Sequence, residues 1–484
     1  MKYTLQGHDR DNGVQEMLIS LLPDEPHDRV EVLVGEGCSS TAWEENGTIH
    51  ARADIRRGVR ESSAQAEAPV PAETDGEEYK RVLTWCVKSA VYRALLPLLE
   101  SPPAWGSMTG VKPAKPARLA IREGMDAAML DDWLREKYDV TENRRRLCIR
   151  AAEYALAAED SLLPRETQLY IGIPFCPAKC SYCSFVSNDM ARWGHMIQPY
   201  TDCLLREVAA AGRLLREHRI PLGSIYIGGG TPTTLNEDQL EALLTAVDAA
   251  FDRSRCREFT VEAGRPETIT AEKLRCMARH GVSRISINPQ TMNDRVLEGV
   301  GRRHTARDIE DCYRLARETA GFLINMDLIA GLPGDDDSSL IESVRRVAAL
   351  EPDNITIHCL ARKRGARLYF GPTGLLPAET LDACYAILAE RGYEPYYLYR
   401  QKYMAGGLEN VGFCRPGTAS HYNICMMEEL SDVVALGAGG VTKLCAQGGR
   451  KVNRVVNPKF PKEYIERIDR IVAGKETLSE EISF

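Results

Sequence analysis

The sequence predicts an α/β protein: a partial, open (βα)6 barrel over 166–375, preceded by an α+β extension and followed by an α+β domain over 376–484. Three observations predict it. From about residue 168, short apolar runs of strand length alternate with amphipathic stretches. Six such repeats follow in series, which demands parallel strands joined by crossovers, and six fall short of the eight that close a barrel. Each unusual cluster of polar or cysteine residues falls at or just after the C-terminal end of one of these runs, where such folds place their sites.

In order, the strand candidates are 168–174, 224–230, 258–264, 284–290, 322–330 and 354–360, with helices near 200–218, 236–251, 271–280, 306–319 and 337–350. Before the barrel, 1–59 reads as a small α+β module with strands at YTLQGH, RVEVLVG and TIHARADI and a helix at VQEMLISLL. The stretch 60–79, rich in Ala, Glu, Pro and Ser, reads as an acidic solvated linker. The segment 80–165 has helical apolar spacing, broken by the Gly/Pro-rich turn WGSMTGVKPAKPARLA.

With 484 residues and 44% apolar composition, the chain can bury a sizeable core. A formal charge of −8 gives no basic footprint for nucleic acid. The first residues, MKYTLQGHDR, lack the apolar core of a signal peptide, and no run is apolar enough to span a bilayer. A cytoplasmic protein with no membrane span and no nucleic-acid partner is expected. The fifteen cysteines therefore read as thiols. Cys86, Cys148, Cys256, Cys312 and Cys384 sit singly in apolar helical patterns and read as small core residues.

One group has ligand spacing. Cys176, Cys180 and Cys183 follow Pro174-Phe175 as C-x3-C-x2-C, with Tyr182 between the last two. Three thiolates on a short loop can reach three irons of a cubane that four cysteines normally hold, leaving one iron open. A structural zinc site would need a fourth ligand, and this is not a common zinc spacing. Further along, Gly228-Gly229-Gly230-Thr231-Pro232-Thr233 ends the second strand, and no Lys-Ser/Thr follows to make it a phosphate loop. Glu262, Gln290 and Asp327 mark the third, fourth and fifth strands, and Arg302 stands in GVGRRHT. Taken singly, each polar residue could simply cap a strand.

In this order the motifs resemble the radical SAM superfamily, and within it the oxygen-independent coproporphyrinogen III oxidases and their HemN, HemW and HemZ relatives. The match runs over roughly 168–372. The resemblance implies a [4Fe–4S] cluster on Cys176, Cys180 and Cys183, with S-adenosylmethionine (SAM) chelated to the open iron. It places SAM contacts at Tyr170, Gly229, Gly230, Glu262, Gln290, Arg302, Asp327, Ile329 and Ala361.

Two departures stand out: Gly172 replaces a usual His, and Phe185 replaces a further cysteine of the HemN enzymes. The second favours the HemW and HemZ branches. About 165 residues before the barrel, the segment Trp105-Gly106 to Lys115, and the stretches from Tyr399 and Glu409-Asn410-Val411-Gly412 resemble HemZ landmarks.

The implied reaction is oxidation of two propionates of coproporphyrinogen III to vinyls with loss of CO2, which requires an electron donor and an electron acceptor. Arg362, Arg364, Arg400 and Lys402, with Lys363 and Arg367, are the cationic candidates for the porphyrinogen carboxylates. A heme carrier of the HemW type and a radical SAM enzyme with another substrate are the alternatives.

Overall fold

The computed structural model describes every residue except 24, 73–75, 186, 362–365, 367–375, 402–403, 405–406, 447–450 and 478–484, and also excepting the side chains of 446, 451, 476 and 477. The chain forms two compact units. The first comprises Met1–Pro113, Leu119–Ile149 and Arg400–Glu409, and the second Ala114–Arg118, Arg150–Tyr399 and Asn410–Phe484.

In the first unit, β1 (Lys2–Gln6), β2 (Asp28–Arg29), β3 (Gly37–Glu45), β4 (Thr48–Arg57) and β5 (Arg60–Pro69) make one sheet in the order β2-β1-β3-β4-β5. The helix Asp11–Leu21 buries Val14, Met17, Leu18 and Leu21, an i, i+3, i+4, i+7 stripe. β4 buries Ile49, Ala51, Ala53 and Ile55, every second residue, against Cys86, Val87, Ala90 and Val91 of the helix Gly76–Leu95. Truncating a buried leucine such as Leu18 to Ala would cost about 2–5 kcal/mol.

Two expectations fail in this unit. Of the run 29–35 only Arg29, at the end of β2, pairs as strand, and Val32 and Val34 lie exposed, so its apolar residues have no sheet face to fill. Within the expected linker, Arg60–Pro69 form a ten-residue strand, β5, in full register with β4, and residues 76–79 open the helix Gly76–Leu95. Ala and Ser suffice there because the strand is mostly exposed and buries just Ala66. The divisions at 59 and 79 are therefore not domain boundaries, since both flanks belong to one unit.

The second unit holds β6 (Thr167–Ile173), β7 (Phe175–Cys176), β8 (Asn188–Asp189), β9 (Leu222–Gly229), β10 (Glu258–Glu262), β11 (Arg284–Ser286), β12 (Leu323–Ala330) and β13 (Asn354–Cys359). These are followed by β14 (Glu394–Tyr399), β15 (Asn410–Cys414), β16 (Asp432–Leu436), β17 (Val441–Ala446) and β18 (Lys451–Val456). β6, β9, β10, β11, β12 and β13 are parallel neighbours in chain order, the six predicted strands. They read as near-continuous apolar runs because both faces are covered, as in β6 with six of seven residues buried. β11 is shorter than predicted: Pro289 has no N–H for the ladder, and Gln290 turns into the left-handed region at φ 70°.

The sheet stays open, with β14 and β18 at its edges. Residues 376–484 mix helix and strand as expected, but among the described residues their strands join the barrel sheet. β15 and β14 extend the barrel sheet antiparallel from β13, and β16 extends it parallel from β6. Buried Glu207, on the helix Ile197–Glu217, ties this last segment down. It accepts from Gly437 N at 2.8 Å, Asn457 Nδ2 at 2.9 Å and Tyr464 Oη at 2.5 Å, and Lys475 Nζ lies 3.3 Å away. No helix among the described residues is long and apolar enough to cross a membrane.

Candidate active site

The cysteine loop leaves β6 at Pro174 and is closed at its base. β7 pairs with β8, and both the N–H and the side chain of Asn188 donate to the Pro174 carbonyl, at 2.8 and 2.9 Å. Cys176 and Cys180 are buried and Cys183 is half-buried. Thr231 Oγ1 donates to Cys176 Sγ at 3.5 Å. Arg265 Nη2 donates to Cys180 Sγ at 3.0 Å and to the Ala178 carbonyl at 2.9 Å. Arg302 and Tyr182 also lie near enough to favour the Cys180 thiolate. Burial pushes the Cys176 and Cys183 thiols up. Burial acts on Cys180 in the same direction, but Arg302 and Arg265 outweigh it and hold that thiol below its ordinary value.

The glycine-rich end of β9 lies against this loop. Gly230 N donates to the Ile173 carbonyl at 2.8 Å, and Thr231 N donates to the Phe175 carbonyl at 2.7 Å. A Cβ on Gly230 would stand 2.5 Å from the Phe175 oxygen and 3.0 Å from Cys176 Sγ, and Gly229 has φ 114°. Only glycine fits there. Glu262, at the end of β10, accepts from Tyr226 Oη at 2.6 Å and from Gly229 N at 3.2 Å. Burial pushes its pKa up to about 7; Tyr226 opposes the rise and nearby Asp327 adds to it. Tyr170 stacks on Tyr226 with ring centroids 6.3 Å apart.

Gln290 is locked onto β12: its N–H donates to the Asp327 carbonyl and its carbonyl accepts from Ile329 N, both at 2.8 Å. Asn325 Nδ2 donates to Asp327 Oδ1 at 2.8 Å, and His358 Nε2 lies 3.8 Å from Asp327 Oδ2. Burial would raise the Asp327 pKa, but His358, Asn325 and Thr356 together hold it below its ordinary value. Buried Arg302 donates to the Asn288 carbonyl at 2.5 Å. Ile329 packs with Val296, Val300, Leu332, Leu360 and Tyr182, and Ala361 lies half-buried just past β13.

Tyr170, Gly229, Gly230, Glu262, Gln290, Arg302, Asp327, Ile329 and Ala361 thus all lie in the second unit with the three cysteines. Four neighbours of these groups escaped the sequence reading: Tyr226, Arg265, Asn288 and His358. Each lies within a few residues of a motif but carries no spacing of its own.

Arg400 is placed in the first unit, buried, donating to the Met108 carbonyl and to the Gly407 carbonyl at 2.8 Å, with its guanidinium 5.5 Å from the Trp105 ring centre. Trp105 Nε1 in turn donates to buried Glu409 at 2.6 Å, and Arg144 Nε lies 3.2 Å from that carboxylate. Arg362, Lys363, Arg364, Arg367 and Lys402 lie outside the described residues.

A family model, the radical SAM superfamily, matches residues 170–347. The oxygen-independent coproporphyrinogen-III oxidase-like protein HemZ of Bacillus subtilis (strain 168) is 34% identical over 425 residues, 85% of this chain and 84% of that one. The chain belongs to this HemZ family of radical SAM proteins. The heme chaperone HemW of the same organism is 30% identical over 62% of this chain and 75% of its own. The solved structure of the Escherichia coli coproporphyrinogen III oxidase HemN, a radical SAM enzyme, superposes with a TM-score of 0.50 at 22% identity, covering 66% of this chain and 72% of that one. It shows the shared fold.

As a radical SAM protein the chain uses a [4Fe–4S] cluster and SAM. The residues present suit these groups. Three thiols stand on one loop, with Cys180 and Cys176 near enough to act on the Cys183 thiol, Gly230 leaves backbone open beside Cys176, and the buried Asn288 Oδ1 and Arg302 Nε atoms have no hydrogen-bond partner among the described residues. The two departures from the family pattern have visible settings. A Cβ on Gly172 would lie 3.3 Å from the Ala438 oxygen and 3.4 Å from that of Leu436, so the course of β16 leaves little room for a side chain. Phe185 is 67% exposed.

Proposed function

We propose that the chain oxidatively decarboxylates two propionates of coproporphyrinogen III to the vinyls of protoporphyrinogen IX without oxygen. The observation that carries this reading is the 34% identity with HemZ over 84% of that protein, which extends well beyond the barrel. In this reading Cys176, Cys180 and Cys183 hold three irons, and Tyr170, Gly229, Gly230, Glu262, Gln290, Arg302, Asp327, Ile329 and Ala361 form the SAM site.

The cluster and SAM, once held by these residues, would supply the one-electron, hydrogen-abstracting chemistry that each propionate-to-vinyl oxidation needs, with the second electron passing to an external acceptor and the carboxyl carbon leaving as CO2. The protein's part is to hold and enclose. Arg265 and Arg302 place positive charge beside the Cys180 sulfur. Glu262 and Asp327 offer two carboxylates with different proton affinities, one suited to sharing a proton and one to meeting a cation. The basic run 362–367 and Lys402 are the proposed hold on the substrate carboxylates, which must be paired wherever they are desolvated.

A second reading, a heme carrier that keeps the cluster, is favoured by the 30% identity with HemW. Anaerobic incubation with coproporphyrinogen III and SAM separates the two. Vinyl porphyrinogen formed together with 5′-deoxyadenosine and methionine supports the dehydrogenase. Stoichiometric heme binding with no CO2 release supports the carrier.

A further inference from the structure

On the helical layer of the second unit, a side-chain cluster apart from the cysteine loop brings three metal-binding atoms to one point. The helix Glu237–Ala250 follows β9 and carries Glu241 and Asp248. The helix Ala271–Arg279 follows β10 and carries Cys276, with His280 as its C-terminal cap. Cys276 and His280 are four residues apart, one turn, and so share a face. Cys276 Sγ, a His280 ring nitrogen and a Glu241 carboxylate oxygen all lie within 4.8 Å of one another. We propose that Glu241, Cys276 and His280 form a binding site for a zinc-like divalent cation, separate from the iron–sulfur site.

The orientation of the imidazole supports a ligand role. His280 Nδ1 lies 2.6 Å from Asp248 Oδ2, and Nε2 faces Glu241 Oε1 at 2.9 Å. A carboxylate on one ring nitrogen fixes the ring and presents the other nitrogen to the metal, the usual outer partner of a metal-bound histidine. Arg279 holds Glu241 through the other oxygen, Oε2, at 2.7 Å, which leaves Oε1 turned inward. Arg253 likewise holds Asp248 through Oδ1 at 2.7 Å.

Exposed ion pairs of this kind are worth about 0–1 kcal/mol and need no cysteine. The thiol is the feature such pairs do not require: Cys276, on the buried face of its helix and 3% exposed, hydrogen-bonds Glu241 and brings sulfur to the same spot. With bonds of about 2.0–2.3 Å, the ligand atoms of a tetrahedral zinc lie roughly 3.3–3.8 Å apart. Side-chain adjustments of about 1 Å would therefore seat the ion.

Donor chemistry selects the metal class. One thiolate, one imidazole and one carboxylate suit zinc or cobalt rather than magnesium or calcium. Thiolate and carboxylate together neutralise a divalent charge. Glu241 is 44% exposed, so water can take the fourth position. The bound ion would staple together the helices behind the glycine loop and behind Glu262.

The test uses full-length, cluster-loaded protein exposed to zinc chloride and then dialysed, with zinc and iron counted separately and the zinc ligands read by X-ray absorption. The expected result is one zinc per chain with one sulfur neighbour, retained in Cys180→Ala and lost in His280→Gln and Cys276→Ser. Asp248→Asn should weaken zinc about 10–100-fold. Should Cys276→Ser fail to fold, His280→Gln, at the solvent rim, decides alone. Zinc-free wild-type protein, or zinc undiminished in His280→Gln, overturns the proposal.

Discussion

Arg265 Nη2 lies 3.0 Å from Cys180 Sγ, a charged donor on a proposed cluster ligand. Hydrogen bonds to the sulfurs help set the potential of an iron–sulfur centre, and a cationic donor favours the reduced, more negative state. A charged hydrogen bond is worth about 1.5–3 kcal/mol, or ~60–130 mV for one electron. Arg265→Ala should therefore lower the cluster midpoint by that order in an EPR-monitored redox titration without SAM. An unchanged or higher midpoint would remove Arg265 from this role.

The cluster assignment itself has a sharper test. Cys176→Ala, Cys180→Ala and Cys183→Ala should each abolish the brown chromophore of anaerobically prepared protein. Cys203→Ala, on the helix Ile197–Glu217, should keep it. Iron content distinguishes a lost cluster from an altered spectrum, and a full-strength cluster in Cys180→Ala would refute the ligand set.

Asp327 should contribute to SAM affinity without holding iron. Losing one polar partner of a charged ligand costs about 1–3 kcal/mol, so Asp327→Ala should weaken SAM binding about 5–150-fold by calorimetry at unchanged iron content. Equal affinity would place Asp327 outside the SAM site.

Glu262 gives a pH signature in cofactor-free protein. Its pKa rises from an ordinary 4.5 to about 7 on folding. Between those values the folded state binds the extra proton, so stability is present below about pH 4.5 and is lost as pH rises through about 7, by roughly 3 kcal/mol at most. In Glu262→Gln that component of the decline should vanish. Parallel Tm-against-pH curves for the two proteins would count against the half-buried, proton-holding carboxylate.

Arg400 separates packing from substrate binding. Its donors meet the Met108 and Gly407 carbonyls, so Arg400→Ala should lower stability by about 1–3 kcal/mol and reduce Tm. An unchanged Tm with a raised KM for the porphyrinogen would instead make it a substrate residue.

The barrel was legible because strands covered on both faces read as apolar runs, and because Cys176, Gly230 and Glu262 stand at or just past their ends, with Asp327 inside β12. The first unit was less legible. β3, GCSSTAWEE, is built largely of small and polar residues, and β5 buries only Ala66, so neither carries an apolar signal. Val32 and Val34 carry that signal without being strand. Within the site, Arg265 was missed because what marks it is proximity to a sulfur, a tertiary relation that no spacing encodes. The zinc-like cluster was missed for the same reason, since Glu241 lies on one helix and Cys276 on the next.

The most direct test is the carbon balance of one anaerobic reaction: dithionite-reduced, cluster-loaded protein with SAM, coproporphyrinogen III and an electron acceptor. The account predicts CO2 release matched by 5′-deoxyadenosine, with vinyl groups appearing on the porphyrinogen. SAM cleavage with no CO2 from coproporphyrinogen III would contradict it.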